Sequence, residues 1–435
     1  APLPDGADAA GMQTALCPVL FPIRPAPSAP KALPPGIGAL DSNMANDFVY
    51  ALQVTADEAR DTLVLEATFA PDRMPYEHAD LFARQLEDSL RLLLEGGACE
   101  ASLCATVYPK PLEPDVPDTL LARFARHAQD TPDATALTFA SSIEPYEATV
   151  LSYLELDTLS SRYAAHLAAS QDPAVYVHLP RCIDLYIVLL AAWKAHKVYV
   201  PLDPTLPLER LQYMIQVVGA GTLVTHDTSL AVPLPRYTLA QLRQDSAWLP
   251  TVPRLDVPSY ILFTSGSTGK PKGVQVSHRA LAAALLSWER LLPHTRASRL
   301  LQLASPGFDV SLFEVCLPLG LGFSVATAPK DVLLTDLEAA FRALRITMAD
   351  LPAALAALVH PDHVPPLEWL MSGGDVIDER VVRAWGAPPH RLINAYGPTE
   401  GTIGNTLGFV DGQTRRSVVG DVYPGNPLVS CGRVS

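Results

Sequence analysis

The sequence predicts an α/β layer fold with mainly parallel sheets and flanking helices over most of its length. Three observations carry this reading. From about residue 118 onward, helix-period stretches alternate with short β-rich runs, the pattern of strands joined by crossover helices. Of the 435 residues 49% are apolar, enough for a large core spread over two or three domains. Several β-rich runs end in Gly-rich turns, and open α/β sheets bind ligands beyond the carboxyl ends of their strands.

The elements follow in chain order. Residues 18–36 (PVLFPIRPAPSAPKALPPG) are proline-dense and read as a linker or extended segment. Runs 48–56 and 61–69 read as two strands. Residues 76–95 carry Leu81, Phe82, Leu86, Leu90, Leu93 and Leu94 at helical spacing and stop at Gly96-Gly97. This strand–strand–helix unit is too small to be a stable domain by itself, so residues 1–97 read as the tail of an upstream domain. Residues 98–117, with four prolines from Pro109 to Pro117, read as a linker. From 118 to 435 helical patterns (119–128, 153–169, 183–195, 207–218) alternate with β-rich runs (174–179, 198–202, 222–225, 260–264). The alternation continues through 277–292, 299–304, 309–320, 322–327, 335–344, 351–359 and 391–396. The final PGNPLVSCGRVS has no terminating helix and reads as a domain cut short.

The net charge is −14, without long basic runs, which argues against a nucleic-acid or anionic-membrane binder. Any anion must be captured by local geometry. No apolar run of about 18 residues predicts a membrane span, and the N-terminal residues lack a secretory pattern. The six cysteines show no metal-site spacing and read as reduced thiols, so a cytoplasmic location is expected.

Residues 262–274 read LFTSGSTGKPKGV. The stretch Thr264, Ser265, Gly266, Ser267, Thr268, Gly269 and Lys270 offers free N–H groups, hydroxyl groups and charge, a composition suited to phosphate. Lys270 and Lys272 can supply cations to phosphate oxygens. A flexible surface loop would have the same composition, but this one follows an apolar run and precedes a helix starting near Ser277. A Walker-type loop is excluded, because its glycine spacing differs and Pro271 follows the lysine.

This stretch resembles the phosphate loop of the adenylate-forming superfamily, which comprises acyl-CoA synthetases, luciferases and the adenylation domains of nonribosomal peptide synthetases. LSYLELD (151–157), WKAHKVYVPLDP (193–204), FDVSLFE (308–314) and NAYGPTEGT (394–402) resemble further family motifs in the family's order. The resemblance covers roughly 118–435. His196 and Lys197 depart from the usual glycine-containing pattern, with no chemical effect expected. Tyr-Val-Pro-Leu-Asp and Phe-Asp-x-Ser point to the peptide-synthetase branch, and the unit at 48–95 resembles the end of a condensation domain.

The resemblance implies an adenylate-forming N-terminal lobe that joins MgATP to a carboxylate and passes the acyl group to phosphopantetheine on a carrier domain. Adjacent condensation and carrier domains are the expected partners. Gly374 and Asp375 would lie along the adenine, with Asn394, Tyr396 and Gly397 completing that pocket. Thr399 would bond the α-phosphate, Glu400 would hold Mg²⁺, and the 264–273 loop with Lys270 would hold the β- and γ-phosphates. The implied substrate pocket is Asp309, Val310, Phe313, Asp350, Met371, Gly373, Ala395, Ile403 and Gly404. Asp309 would pair with an α-ammonium, although a helix N-cap is an alternative role for it.

Asp350 would face a donor on the substrate side chain, which suits arginine, ornithine or N5-acyl-N5-hydroxyornithine, the last as in fungal hydroxamate-siderophore synthetases. A strand-end Asp350 facing water is the competing reading. The family also uses a C-terminal lobe that supplies a lysine. The chain ends before it, so weak or absent activity of these residues alone is expected. An acyl- or aryl-CoA ligase and a non-catalytic nucleotide-binding fragment are the alternatives.

Overall fold

The computed structural model describes residues 50–57, 62–69, 118–246, 254–265, 270–411 and 421–422. The chain divides into two compact units, Ala1–Pro111 and Leu112–Ser435. In the first, β1 (Tyr50–Asp57) and β2 (Thr62–Phe69) pair antiparallel. The expected helix at 76–95, the proline-dense 18–36, the linker 98–117 and the final residues 423–435 lie outside the described residues.

The second unit holds two sheets. Their strands are β3 (Thr135–Ser142), β4 (Glu147–Ser152), β5 (Ala174–His178), β6 (Val198–Pro201), β7 (Gly221–Thr225), β8 (Arg236–Tyr237), β9 (Pro258–Thr264), β10 (Lys272–Ser277), β11 (Arg299–Leu301), β12 (Ser324–Thr327), β13 (Met348–Asp350), β14 (Trp369–Gly373), β15 (Leu392–Tyr396), β16 (Thr406–Val410) and β17 (Asp421–Val422). One sheet has the order β10-β9-β6-β5-β7-β8, parallel except where β10 folds back on β9. The other has the order β17-β16-β15-β14-β13-β11-β12-β3-β4, with a parallel centre from β15 to β3 and antiparallel edges. The predicted parallel α/β layering is thus observed. The antiparallel additions β4, β10 and β16 were not foreseen, because β4 is exposed and short and carries no continuous apolar run.

Alternation along the strands sorts side chains into layers. Val175, Val177 and Tyr199 enter one core cluster, while Tyr176 and Val200 enter another on the opposite face. Trp369 and Met371 join the first cluster, while Leu370 joins a third beyond the second sheet. The first cluster therefore lies between the sheets. It contains the helices Ile183–Lys194 and Val310–Leu321, which are apolar almost all round and buried on nearly every side. The helices Leu208–Val218 and Leu337–Leu344 cover the outer faces through amphipathic stripes.

Local chemistry sets the helix starts. Ser152 and Glu155 form a reciprocal capping box for the helix Tyr153–Ala168, and Ser277 caps the helix His278–Leu291. Tyr153, in the first of these, is fully buried and donates its hydroxyl to the carbonyls of Pro318 (3.0 Å) and Phe323 (2.8 Å), tying it to the end of the helix Val310–Leu321. His196 has a left-handed backbone (φ 57°), the conformation a glycine adopts without strain. Lys197 is buried and donates to the carbonyls of Ser170 (2.9 Å) and Asp172. The departure from glycine at His196 therefore strains the backbone.

Replacing Tyr153 by Phe removes two buried hydrogen bonds, although the Pro318 carbonyl keeps those from the Gly322 and Phe323 N–H groups. The expected cost is about 1–2 kcal/mol, read as a lower denaturant midpoint at unchanged slope.

Candidate active site

The carboxyl ends of β11, β13, β14 and β15 open onto one cavity of about 550 Å³. Strand register brings its wall together: Asp350 pairs with Met371, and Gly373 pairs with Ala395. A β-carbon at Gly373 would meet the Ala395 carbonyl at 2.6 Å, so the neighbouring backbone itself demands glycine there. On the inner side, Trp288 and Phe313 pack edge to face with centroids 4.9 Å apart, and Phe313 meets Trp369 at 6.4 Å. Ile403, with Thr402, holds a left-handed backbone (φ 75° and 63°), a strained state for β-branched residues that marks the pocket turn.

Three carboxyls gather at this end of the core. Asp309 caps the helix Val310–Leu321 through Oδ1, which accepts from the Val310 N–H at 2.9 Å. Its Oδ2 is buried without a hydrogen-bond partner. Burial pushes the Asp309 carboxyl above the usual range, and the facing Thr399 hydroxyl opposes that shift. Asp350 lines the cavity at the end of β13, and burial with the nearby Asp309 charge raises it to about 7. Glu314 is fully buried. Its Oε2 accepts from the Leu303 N–H (3.1 Å), the Ala304 N–H (2.9 Å) and the Gln302 amide (3.0 Å). Burial, with Asp350 nearby, still raises it to about 8.

The 264–273 loop closes the β9–β10 hairpin, with Thr264 opposite Lys272. The helix expected near Ser277 begins at His278, one strand later than the loop. Lys272 pairs with Glu400 at 2.6 Å, which holds the Glu400 carboxyl below its usual range. Glu400 lies on the short turn Thr399–Gly401, so this ion pair ties the loop hairpin to the NAYGPTEGT segment.

Comparison with known proteins assigns the arrangement. The model of the AMP-binding enzyme family matches residues 124–431. The chain belongs to the AMP-binding enzyme family. It is 48% identical over 402 residues to a ferrichrome siderophore peptide synthetase of Mycosarcoma maydis, covering 89% of this chain and 10% of that protein. It is 31% identical over 388 residues to nonribosomal peptide synthetase 2 of Gibberella zeae, covering 83% of this chain and 8% of that protein. The chain therefore spans about a tenth of these curated relatives. Among solved structures, it resembles the Klebsiella oxytoca NpsA N-terminal subdomain at 26% identity and TM-score 0.61, covering 70% of this chain and 80% of that one. The NpsA N-terminal subdomain in complex with 3-hydroxybenzoyl-AMSN aligns at 26% identity and TM-score 0.59, covering 67% and 76%. These relatives agree with the resemblance drawn from the motifs and with the N-terminal-lobe fold.

In this AMP-binding enzyme all nine pocket positions carried over by resemblance line the one cavity, from Asp309, Val310 and Phe313 through Asp350, Met371, Gly373 and Ala395 to Ile403 and Gly404. Gly374, Asp375, Tyr396 and Gly397 line it too. Asn394 is buried within β15 and is not on the cavity wall. Thr264 is half-buried, its Oγ1 unpartnered, while Ser265 and Lys270 are exposed. Gly266, Ser267, Thr268 and Gly269 lie outside the described residues. Asp309 caps the helix through Oδ1, as one of its two sequence readings expected, and it also lines the cavity. Motif reading missed Trp288, Phe308, Lys330, Leu334 and Leu355, which also line the cavity. Of these, Phe308 alone lies in a quoted motif.

The raised carboxyls set a pH dependence. Between about pH 4 and 8 the unfolded chain ionises these groups while the fold retains their protons, so stability falls as pH rises. In Asp350→Asn the Asp350 share disappears. Melting temperatures from about pH 5 to 8 should decline less steeply in that variant than in wild type.

Proposed function

We propose that this chain uses ATP to activate an amino acid as its aminoacyl-adenylate, for loading onto a carrier-domain phosphopantetheine thiol. The preferred substrate is N5-acyl-N5-hydroxyornithine, with ornithine- and arginine-like side chains next. The observation that carries the reading is the pair of carboxyls in one largely apolar cavity. Asp309 keeps Oδ2 free at the helix start, and Asp350 lies on the neighbouring wall. A buried carboxyl oxygen without a hydrogen bond is costly, and an α-ammonium is a complement for Asp309 Oδ2, beside the Thr399 hydroxyl. A side-chain donor is the complement for Asp350.

The reaction asks for positioning more than for a nucleophile. The substrate carboxylate oxygen forms a bond to the α-phosphorus, and the bond from that phosphorus to the bridging oxygen breaks, releasing pyrophosphate. Thr399 stands beside Asp309, so it places a hydroxyl next to the ammonium end of the substrate, on the side of the α-phosphate. Lys270 and Lys272 flank the loop that would hold the leaving phosphates.

Mg²⁺ fits this site. Glu400 supplies one carboxylate kept ionised by Lys272. No cluster of three or more His, Cys, Asp or Glu able to hold a metal occurs among the described residues. An ion that takes one carboxylate and fills the rest from phosphate and water suits such a place. When bound, it would neutralise charge on the phosphates.

The relatives support this reading. The Mycosarcoma maydis protein is a ferrichrome siderophore peptide synthetase, and condensation and carrier domains of the same synthetase are the proposed partners. A second reading is an acyl- or aryl-CoA ligase; an aryl substrate has a parallel in the NpsA complex with 3-hydroxybenzoyl-AMSN, although NpsA itself occurs in an artificially fused adenylation–PCP di-domain NRPS. Asp309 separates the two, since an aryl acid has no ammonium to offer it.

The test is amino-acid-dependent pyrophosphate exchange in the full-length protein, with a panel of acylated hydroxyornithine, ornithine, arginine and aryl acids. Asp309→Ala should lower kcat/KM for the amino acid by roughly 100-fold, about 2.7 kcal/mol. Exchange driven by aryl acids and indifferent to Asp309 would overturn the assignment.

A further inference from the structure

We infer that Lys330 is a specificity-determining residue of this pocket, which reads an acceptor oxygen on the far end of the substrate side chain. The inference rests on the proposed amino-acid activation and extends it to the N5 substituent.

Lys330 opens the short helix Lys330–Thr335, and Leu334, one turn later, lines the same cavity. Both lie outside the FDVSLFE and NAYGPTEGT segments. The charged residues on the cavity wall are Asp309, Asp350, Asp375 and Lys330, so one cation faces three carboxyls. Lys330 is exposed at the cavity rim and forms no ion pair or hydrogen bond with any described residue, so its ammonium is left to water or to a ligand. Asp350 likewise has no hydrogen-bond partner among the described residues. The pocket thus holds a donor and an acceptor that do not satisfy one another. Trp288 also lines the cavity, and its indole Nε1 is buried without a partner, a second donor lacking an acceptor.

A ligand that satisfies this set must carry both a donor and an acceptor beyond its α-carbon. Ornithine and arginine offer donors alone. A hydroxamic acid offers an N–OH donor and a carbonyl acceptor on adjacent atoms. Asp350 takes the N–OH, Lys330 takes the acyl oxygen, and Leu334 with Phe308 lies along the apolar part of the acyl group. Phe308 is 67% exposed and Leu334 41% exposed. Such large apolar side chains at a cavity mouth gain from being covered by an acyl chain.

The experiment compares wild type, Lys330→Met and Lys330→Arg in the full-length protein. Pyrophosphate exchange is measured with N5-acetyl-N5-hydroxyornithine and with N5-hydroxyornithine, which lacks the acyl oxygen. Thermal melting checks that each variant is folded. Methionine keeps the stem and removes the charge. The expected result is a loss of roughly 10- to 100-fold in the kcat/KM ratio of acylated to unacylated substrate, carried by KM, with arginine restoring most of it. An unchanged ratio in Lys330→Met overturns the Lys330 inference while leaving amino-acid activation standing. A wild type that activates neither compound overturns the Lys330 inference and the preferred substrate together, and activation of no amino acid of the wider panel overturns amino-acid activation itself.

Discussion

The pocket depends on one buried carboxyl, that of Glu314. It gathers the Gln302 amide and the Leu303 and Ala304 N–H groups at the end of β11. Gln302 is itself held by the Tyr186 hydroxyl at 2.6 Å, and Arg181 donates to the carbonyls of Leu303 and Ala304 (3.1 Å to the latter). Both edges of this short segment are therefore pinned by side chains from other elements. The chain can then leave the sheet, pass Ser305 and Phe308, and start the helix Val310–Leu321 with Asp309 facing the cavity. Glu314 sits on that same helix, about one turn beyond Asp309. The helix fixes the segment that leads into it, and the segment fixes where the helix begins.

This arrangement explains why an acidic residue survives in a helix that is otherwise apolar. A buried carboxyl without partners is costly, whereas one with several N–H donors is tolerated. The donors favour the ionised form, but full burial and the nearby Asp350 outweigh them, which lifts Glu314 to about 8. The shift favours the protonated acid. The pocket thereby avoids the full repulsion of three adjacent charges.

The sequence made the layering legible, because parallel strands buried on both faces read as continuous apolar runs and their helices keep a clear period. Val175 and Tyr176 enter different cores, yet both are apolar, so the run showed a strand without showing its two faces. Cavity-lining residues were legible where they sit in a local motif, as with Asp309 in FDVSLFE. Asn394, also drawn from a motif, is buried in β15 and off the cavity wall. The Lys272–Glu400 pair joins residues far apart in sequence and follows from the hairpin closing over the Thr399–Gly401 turn, which no local pattern announces. Lys330 was invisible for a similar reason: a lysine at a helix start is usually a solvated residue, and what distinguishes this one is the cavity beside it. The left-handed Thr402 and Ile403 depend on backbone geometry and leave no trace in composition.

Charge balance connects the pocket's acidity to its choice of ligand. An ornithine ammonium gains most from an ionised Asp350, so its binding weakens as that carboxyl takes up a proton below about pH 7. A hydroxamic acid has no such requirement. Its N–OH donates to the ionised carboxylate, and its oxygens accept from the protonated acid. Asp309 is different, because in the proposed activation its partner would be the α-ammonium common to every amino acid. Its tendency to hold a proton when unpartnered is reversed once a cation arrives beside it. Under the proposed function the two carboxyls would divide the work, Asp309 answering to the class of substrate and Asp350 to the side chain. Their separation across the helix start and the end of β13 is what lets one pocket carry both without pairing them to a protein cation.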